Sequence, residues 1–131
     1  MECAFEVLHY KVESESDLKN QTPSEATVKI KIGQNYEHKV AEGNGPINAL
    51  DTAIRKALNP YFPKLKDITL KDFWVRIKDG SAGTASSVEV MIISSDGIKE
   101  WITKAVSTDV IKASAEALMQ SFKKAIANGN K

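Results

Sequence analysis

The feature that most constrains the fold is an order of predicted elements that occurs twice along the chain. In each half, three segments that alternate apolar and polar residues predict β-strands, and a following segment with apolar residues at every third or fourth position predicts a helix. The alternating residues 28–32 of the first half correspond to residues 88–92 of the second, at an offset of roughly sixty positions. The sequence therefore predicts an internal duplication of a βββα unit.

The predicted fold class is α+β, with antiparallel sheets, helices packed on one side and a pseudo-twofold relation between units 5–63 and 64–127. The 131 residues suffice for one domain with a core and fall short of a two-domain enzyme, so we expect residues 1–131 to form a single domain. Because the units repeat, the two helix starts should occupy equivalent places and form two anion sites or one composite site between them.

The first half contains three predicted strands and a polar loop. The strands are residues 5–12, 26–32 and 36–40. A polar segment, residues 13–25, predicts the loop between the first two strands. In the first strand the alternation puts Leu8, Tyr10 and Val12 on one face. In the third strand it puts His38 among apolar neighbours, which favours a half-buried, hydrogen-bonded histidine over a catalytic one.

The second half repeats this order and ends in a long helix. Its strands are residues 73–77, 88–92 and 99–103. Ser107, Thr108 and Asp109 are typical N-cap residues for the helix that follows. The apolar stripe of that helix consists of Ile111, Ala115, Leu118, Phe122 and Ile126. A second stripe of small residues permits close approach of another backbone; it consists of Ala113, Ala117 and Ser121.

A glycine-rich stretch precedes the first helix, with the sequence Glu42-Gly43-Asn44-Gly45-Pro46-Ile47-Asn48-Ala49-Leu50-Asp51. Gly43 and Gly45 allow a backbone path closed to residues with a Cβ, and Pro46 suits the first helical position because its missing N–H costs nothing there. Such a helix start offers unpaired backbone N–H groups and the positive end of the helix dipole to a small anion such as a carboxylate. The same pattern is also typical of a tight turn that binds no ligand.

Charge and composition exclude several classes of partner. The 18 lysine and arginine residues nearly cancel the 17 aspartate and glutamate residues, so no basic field favours nucleic acid. No apolar run has the length of a membrane span, and no signal peptide is recognisable. The single cysteine, Cys3, forms no internal disulfide, which fits a reducing cytoplasm. The predicted strand near the first residue indicates a piece of a longer chain.

No catalytic or metal-binding arrangement stands out in the sequence. His9 and His38 lie in predicted strands, and no serine or cysteine occupies a turn beside a catalytic partner. The spacing of Gly43 and Gly45 is too short for a dinucleotide-binding motif, and no cluster of residues has metal-ligand spacing. The sequence therefore predicts a binding or structural module.

Five segments carry a further pattern. They are residues 42–51 as given above, Leu70-x-Asp72-Phe73-x-Val75-Arg76-Ile77, Gly83-Thr84-Ala85, Ser94-Ser95-Asp96-Gly97 with Trp101, and Val106-Ser107-Thr108-Asp109-Val110-Ile111-x-Ala113-Ser114. In this order and spacing they resemble the C-terminal regulatory domain of 2-isopropylmalate synthase and citramalate synthase, over nearly the whole chain. Residues 57–63 and the hairpin that ends at Trp101 are more similar to the citramalate synthase branch.

The resemblance implies a homodimer that binds an end-product amino acid at or near the dimer interface, isoleucine for citramalate synthase or leucine for 2-isopropylmalate synthase. It also implies a parent acyltransferase that condenses acetyl-CoA with pyruvate in a metal-dependent TIM barrel. That barrel and its metal ligands are missing from this sequence. We therefore expect a non-catalytic sensor without a cofactor of its own, which acts on the catalytic domain of the full-length enzyme.

The resemblance further implies an effector site. An amino acid needs a seat for its carboxylate, acceptors for its ammonium group and an apolar pocket for its side chain. The implied effector-binding residues are Gly45, Ile47, Asn48, Leu70, Phe73, Ile77, Thr84, Val88, Ser107 and Asp109. The apolar members of this set are equally compatible with core packing, and a purely structural dimerisation module is the alternative function. One departure from the family is Thr103-Lys104-Ala105, where Thr-Val-Gly is frequent.

Overall fold

The computed structural model describes residues 4–15, 22–78 and 80–129. The chain divides into two compact units, Met1–Pro63 and Lys64–Lys131. Each unit contains one three-stranded antiparallel sheet and one helix that follows it. The predicted α+β class and the repeated βββα order are therefore confirmed.

The first unit contains strands β1 (Glu6–Glu13), β2 (Ser24–Ile32) and β3 (Asn35–Gly43), hydrogen-bonded in the order β1-β2-β3, and helix α1 (Pro46–Leu58). Helix α1 packs mainly on β2 and β3. Its buried apolar residues face the buried side of β2, where Ala26, Val28 and Ile30 have no exposed surface. In each sheet we call the helix-covered side the inner face and the other side the outer face.

The second unit contains strands β4 (Thr69–Ile77), β5 (Val88–Ser95) and β6 (Glu100–Ser107), in the order β4-β5-β6, and helix α2 (Val110–Gly129). A 3₁₀ turn at Pro63–Asp67 precedes β4. A second 3₁₀ segment, Gly80–Ala85, connects β4 to β5 and is kinked at Gly83, whose φ of 62° favours glycine. Helix α2 packs on β5 and β6.

The predicted apolar stripe of α2 forms part of the core. Ala115, Leu118, Phe122 and Ile126 are buried, whereas Ile111 near the helix start is only partly so. The helix runs to Gly129, two residues beyond the predicted end of the second unit at residue 127, and residues 130–131 lie outside the described residues.

The predicted face of β1 is wrong for Leu8. A β-bulge between Val7 and His9 adds one residue to β1, and this reverses the alternation on either side of it. Val7 therefore shares the inner face with Tyr10 and Val12, whereas Leu8 is 48% exposed.

Several predicted boundaries also differ from the structure. Glu13 ends β1 and Ser24 begins β2, so the predicted loop is shorter at both ends, and its residues 16–21 lie outside the described residues. Strand β3 continues through Gly43, and β6 continues through Ser107. The strands thus lead almost directly into the helices.

The prediction for His38 is wrong as well. His38 shares the outer face of the first sheet with Tyr36 and Val40, as the alternation requires, but this face is solvent-exposed. The imidazole therefore lies at the surface instead of in a half-buried site.

Buried hydroxyl groups join α2 to its sheet. Thr103 Oγ1 donates a hydrogen bond to the carbonyl oxygen of Ala117 at 2.8 Å, and the Oγ atoms of Ser94 and Ser121 are 2.5 Å apart. All four residues are buried. Because Ala117 and Ser121 are small, α2 approaches β5 and β6 closely enough for these bonds to form.

Each helix also sends a lysine to the edge strand beside it. Lys56 Nζ donates to the carbonyl oxygen of Val40 on β3 at 3.2 Å, and Lys124 Nζ donates to that of Ile102 on β6 at 3.3 Å. Edge strands expose unpaired carbonyl groups, and here a charged side chain occupies one of them in each unit.

An ion pair lies on the outer face of the second sheet. Arg76 Nη2 is 2.8 Å from Glu89 Oε1, and Lys78 Nζ is 3.6 Å from Glu89 Oε2. The hydrogen bond from Arg76 lowers the pKa of the Glu89 carboxyl below its ordinary value of 4.5, with smaller contributions from the charges of Lys78, Arg76 and Lys104, while desolvation opposes the shift.

This lowered pKa predicts a pH-dependent stability. A carboxyl group whose folded pKa lies below its unfolded value stabilises the fold above the unfolded pKa and loses that contribution as pH falls through the folded pKa. We expect Glu89→Gln to lower the free energy of unfolding at about pH 7, and the difference from the wild type to shrink below about pH 4. Urea unfolding across this range tests it, and a difference that stays constant with pH would contradict the assignment.

Candidate functional site

The start of α1 carries no side-chain cap. Gly45 is the N-cap residue with extended backbone, Pro46 occupies the first helical position, and no side chain caps this end. The first intrahelical bond runs from the Ala49 N–H to the Gly45 carbonyl oxygen at 3.0 Å. The amides of Ile47 and Asn48 at the second and third helical positions are the groups that a capping side chain or an anion would normally bind. This helix start is therefore uncapped, and its use as an anion site stays a prediction.

Gly43 holds the end of β3 close to α1. A Cβ atom at Gly43 would lie 2.5 Å from the Ala49 nitrogen and 2.5 Å from Asn48 Oδ1. That amide oxygen also accepts a hydrogen bond from the Asn44 N–H at 3.1 Å. Only glycine fits at position 43, so close to the helix backbone. The Asn48 side chain, which was predicted to contact a ligand, stabilises the turn through its hydrogen bond with Asn44.

The prediction that Gly45 needs the conformational freedom of glycine is wrong. Its φ of −161° is extended backbone that any residue adopts, and a Cβ there would meet no atom within 4 Å. The backbone therefore does not require glycine at this position. Because glycine has no side chain, the space beside the N-cap position of α1 stays open.

The start of α2 is different, because it is capped from within the chain. Asp109 Oδ1 accepts hydrogen bonds from the N–H groups of Ile111 at 2.9 Å and Lys112 at 3.2 Å, and Ser107 Oγ accepts from the Asp109 N–H at 3.1 Å. The expectation of unpaired amides at both helix starts thus holds for α1 and fails for α2. What α2 presents is an exposed carboxylate, a group that binds cations.

Most of the predicted residues of the second unit lie at one end of its sheet. Ile77 pairs with Val88 and Val88 with Ser107, so the three form one cross-strand row, two residues before Asp109. Thr84 lies in the connection between β4 and β5 and is exposed. This end of the sheet therefore combines apolar side chains, two hydroxyl groups and a carboxylate.

Leu70 and Phe73 lie further along β4. Leu70 precedes a second bulge and is seven positions from Ile77, about 20 Å at the rise of a strand. Phe73 lies between them. Gly45, Ile47 and Asn48 belong to the first unit and the remaining predicted residues to the second.

The inner face of β4 is apolar and uncovered. Phe73, Val75 and Ile77 pair with β5 residues on the same inner face, yet they are 38%, 41% and 62% exposed because α2 packs on β5 and β6. The predicted site did not include Val75. Its position between Phe73 and Ile77 in the alternation indicates that it shares their face. We call these three residues the β4 stripe.

The described residues show neither a metal centre nor a membrane helix. Within residues 4–15, 22–78 and 80–129, no three histidine, cysteine, aspartate or glutamate side chains are grouped to hold a metal ion. In the same ranges, no helix combines the length and apolar character needed to cross a membrane. The chemistry that the chain offers at the described positions is recognition by amides, a carboxylate and apolar side chains.

Comparison with known families gives a match over almost the whole chain. Residues 2–126 match the family model described as the LeuA allosteric (dimerisation) domain. The match spans both βββα units, including both helix starts and the β4 stripe.

Individual relatives agree with this match. The chain is 46% identical to an (R)-citramalate synthase of Geobacter sulfurreducens over 118 residues, 89% of this chain and 22% of the relative. It is 50% identical to an (R)-citramalate synthase of Aquifex aeolicus over 99 residues, 76% of this chain and 19% of the relative. A 2-isopropylmalate synthase of Aquifex aeolicus is 34% identical over 121 residues, 92% of this chain and 21% of the relative. The chain thus spans about a fifth of the length of these relatives.

The two glycines before α1 give a matched test of the turn. Gly43→Ala should lower the free energy of unfolding by about 3 kcal/mol, because the new methyl group clashes with the helix backbone. Gly45→Ala, which meets open space, should change it by less than about 1 kcal/mol. Thermal and urea unfolding followed by circular dichroism measure both variants, and equal effects would refute the close-approach argument.

Proposed function

The chain belongs to the LeuA allosteric (dimerisation) domain family, and from this premise we propose that it is the effector-sensing part of an (R)-citramalate synthase with isoleucine as its effector. The observation that carries the proposal is the order of similarity. Five relatives named (R)-citramalate synthase are 39–50% identical over 74–90% of this chain, two named 2-isopropylmalate synthase are 31–34% identical, and one named putative (R)-citramalate synthase is 28% identical. Isoleucine is the end product that the resemblance assigns to the first group.

Taken unit by unit, the chain offers groups that suit the three parts of a free amino acid. The open amides of Ile47 and Asn48 suit a carboxylate, because a helix start combines N–H donors with the positive end of the dipole. The exposed carboxylate of Asp109 suits an ammonium group. The apolar row of Ile77 and Val88 suits a branched aliphatic side chain.

Regulation follows from differential binding. An effector that binds one arrangement of a regulatory assembly more tightly shifts the equilibrium toward it, and coupling energies of about 1–3 kcal/mol are typical. In this proposal the chain supplies the effector-binding half of that coupling. The catalytic half, the condensation of acetyl-CoA with pyruvate in a metal-dependent barrel, belongs to the remainder of the parent enzyme.

We propose that the β4 stripe lies against a second copy of the chain. The family is described as a dimerisation domain, and three neighbouring apolar side chains on one edge strand are exposed in the single chain. Contiguous exposed apolar surface of this kind is typical of an interface between proteins. The homodimer is therefore part of the proposed function.

Calorimetric titration with isoleucine, leucine and valine tests the sensor. We expect isoleucine to bind most tightly, and Asp109→Asn to weaken its binding by about 10- to 100-fold, the cost of a hydrogen bond to a charged group. Asparagine retains the N-cap on α2, so the helix should survive the substitution. Asp96→Asn is the control, because Asp96 accepts hydrogen bonds from Ile98 and Lys99 in the β5–β6 turn.

The outcomes separate the rival functions. Preference for leucine would assign the chain to a 2-isopropylmalate synthase. Absence of heat with all three amino acids, together with no rise in the unfolding temperature at saturating concentrations, would leave a purely structural dimerisation module. Equal weakening by Asp109→Asn and Asp96→Asn would refute the placement of the ammonium site.

Sedimentation equilibrium tests the dimer. Val75→Lys puts a charge in the middle of the β4 stripe, and desolvating that charge should raise the dimer dissociation constant at least about tenfold. The control is Val40→Lys on the outer face of the first sheet, where the wild-type valine is 47% exposed against 41% for Val75. Loss of the dimer in the Val40 variant alone would place the interface elsewhere.

A further inference from the structure

The chain contains two asparagine–glycine pairs, Asn44-Gly45 and Asn128-Gly129. The side-chain amide of an asparagine is open to attack by the backbone nitrogen of the next residue. Glycine permits this attack best, because it has no Cβ to obstruct the approach and adopts a wide range of backbone conformations. Asparagine is accordingly among the thermolabile residues of proteins. Whether a given pair reacts depends on how firmly the fold holds the side chain and the nitrogen.

The fold leaves the reacting atoms of the Asn44-Gly45 pair free. The two residues lie between β3 and α1, and Asn44 is exposed. The backbone N–H of Asn44 donates to Asn48 Oδ1 at 3.1 Å, but in the described part of the chain no hydrogen bond engages the Asn44 side chain or the Gly45 N–H. A Cβ atom built on Gly45 would meet nothing within 4 Å, so the space beside the nitrogen is open.

Two other positions are held by helices and serve as internal comparisons. The second asparagine–glycine pair forms the end of α2, where backbone N–H groups donate to carbonyl oxygens four residues earlier. Asn48 uses its side-chain oxygen for the bond from Asn44, and the next nitrogen, that of Ala49, donates to the Gly45 carbonyl oxygen at 3.0 Å. At both positions the helix must open before the nitrogen can attack, and this requirement lowers the rate.

We propose that Asn44 is a site of spontaneous deamidation, which puts a negative charge beside the open start of α1. The Gly45 nitrogen forms a bond to Asn44 Cγ and gives up its proton, the Cγ–Nδ2 bond breaks, and ammonia leaves. The product is a succinimide ring. Water then cleaves one of the two carbonyl–nitrogen bonds of the ring, and position 44 becomes aspartate or isoaspartate. The net change is the hydrolysis of an amide by water, so no oxidant or reductant is consumed.

The new carboxylate alters the predicted anion site at α1. The amides of Ile47 and Asn48 have no side-chain cap, and the hydrogen bond between Asn44 and Asn48 keeps position 44 beside them. A negative charge near a helix start is favourable, so the modified residue stabilises α1 and competes with any other anion for those amides. This step rests on the proposed function, since it takes the other anion to be the carboxylate of isoleucine. Deamidation then lowers the sensitivity of the parent enzyme to its effector as the protein ages.

Incubation of the protein in mildly alkaline buffer, followed by tryptic digestion and tandem mass spectrometry, tests the site. Residues 40–55 form one tryptic peptide and residues 125–131 another, so each asparagine–glycine pair is measured separately. We expect the mass increase of deamidation to occur at Asn44 at least about tenfold faster than at Asn48 or Asn128. In urea, where α2 is unfolded, the rate at Asn128 should rise to that at Asn44. A folded protein in which Asn44 reacts no faster than Asn128 would overturn the proposal.

Gly45→Ala is the matched variant for the attack itself. It keeps the asparagine and adds a methyl group in open space, so the fold should remain while the rate at Asn44 falls at least about tenfold. Circular dichroism checks that the variant is folded. An unchanged rate in the folded variant would refute attack by the Gly45 nitrogen.

Asn44→Asp supplies the charge of the product without the reaction. We expect it to raise the unfolding temperature and to weaken isoleucine binding at least about threefold, whereas the neutral substitution Asn44→Gln should change neither. Equal isoleucine affinities of Asn44→Asp and Asn44→Gln would refute the effect of the charge on the anion site. A protein that binds no isoleucine before or after incubation defeats the proposed function, whereas the mass spectrometric result decides the deamidation site independently.

Discussion

The constraint on which the structure depends is that one helix covers only part of one side of a three-stranded sheet. A helix is about 10 Å across and neighbouring strands lie about 4.8 Å apart, so a helix seated on two strands leaves the third exposed. In the second unit α2 packs on β5 and β6, joined to them by the Thr103–Ala117 and Ser94–Ser121 hydrogen bonds. The inner face of β4 is therefore not covered by the helix. The outer face of each sheet is not covered by a helix either. The surface proposed for the dimer is one of these uncovered parts.

Duplication has also given two helix starts with different chemistry. Helix α1 begins at a glycine and has no side-chain cap. At the start of α2, the Asp109 side chain accepts hydrogen bonds from the first amides of the helix. One start is therefore suited to an anion and the other to a cation.

The sequence predicts the elements well because their signals are periodic. The spacing of apolar residues identified most of the buried stripe of α2. Alternation identified the inner faces of β2, β4 and β5, but it favoured a half-buried His38 on β3, where this residue lies on the exposed outer face. It failed at β1, where a single-residue bulge reverses the face of Leu8, because a bulge leaves no periodic trace in one sequence. Boundary errors at Ser24, Gly43 and Ser107 arose where strand and turn residues have similar composition.

The candidate site was harder to predict than the fold. The sequence indicated both helix starts and Asp109 as a cap candidate, but it also predicted open amides at the start of α2, which the Asp109 cap excludes. It assigned backbone freedom to Gly43 and Gly45 together, whereas the structure requires glycine at Gly43 through close approach to Ala49 and leaves Gly45 sterically free. The exposure of Val75 depends on which strands α2 covers, and the pattern of one sequence does not specify this.

The lysines at the sheet edges affect how the chain can polymerise. A three-stranded sheet with two open edges can add strands in both directions, which is the growth mode of amyloid fibrils. Lys56 and Lys124 each hold a carbonyl on β3 or β6 and place a charge beside it, so extension is disfavoured on one side of each sheet. The opposite edges, β1 in the first sheet and β4 in the second, carry no such lysine contact, so a strand that adds to either sheet is directed to these edges.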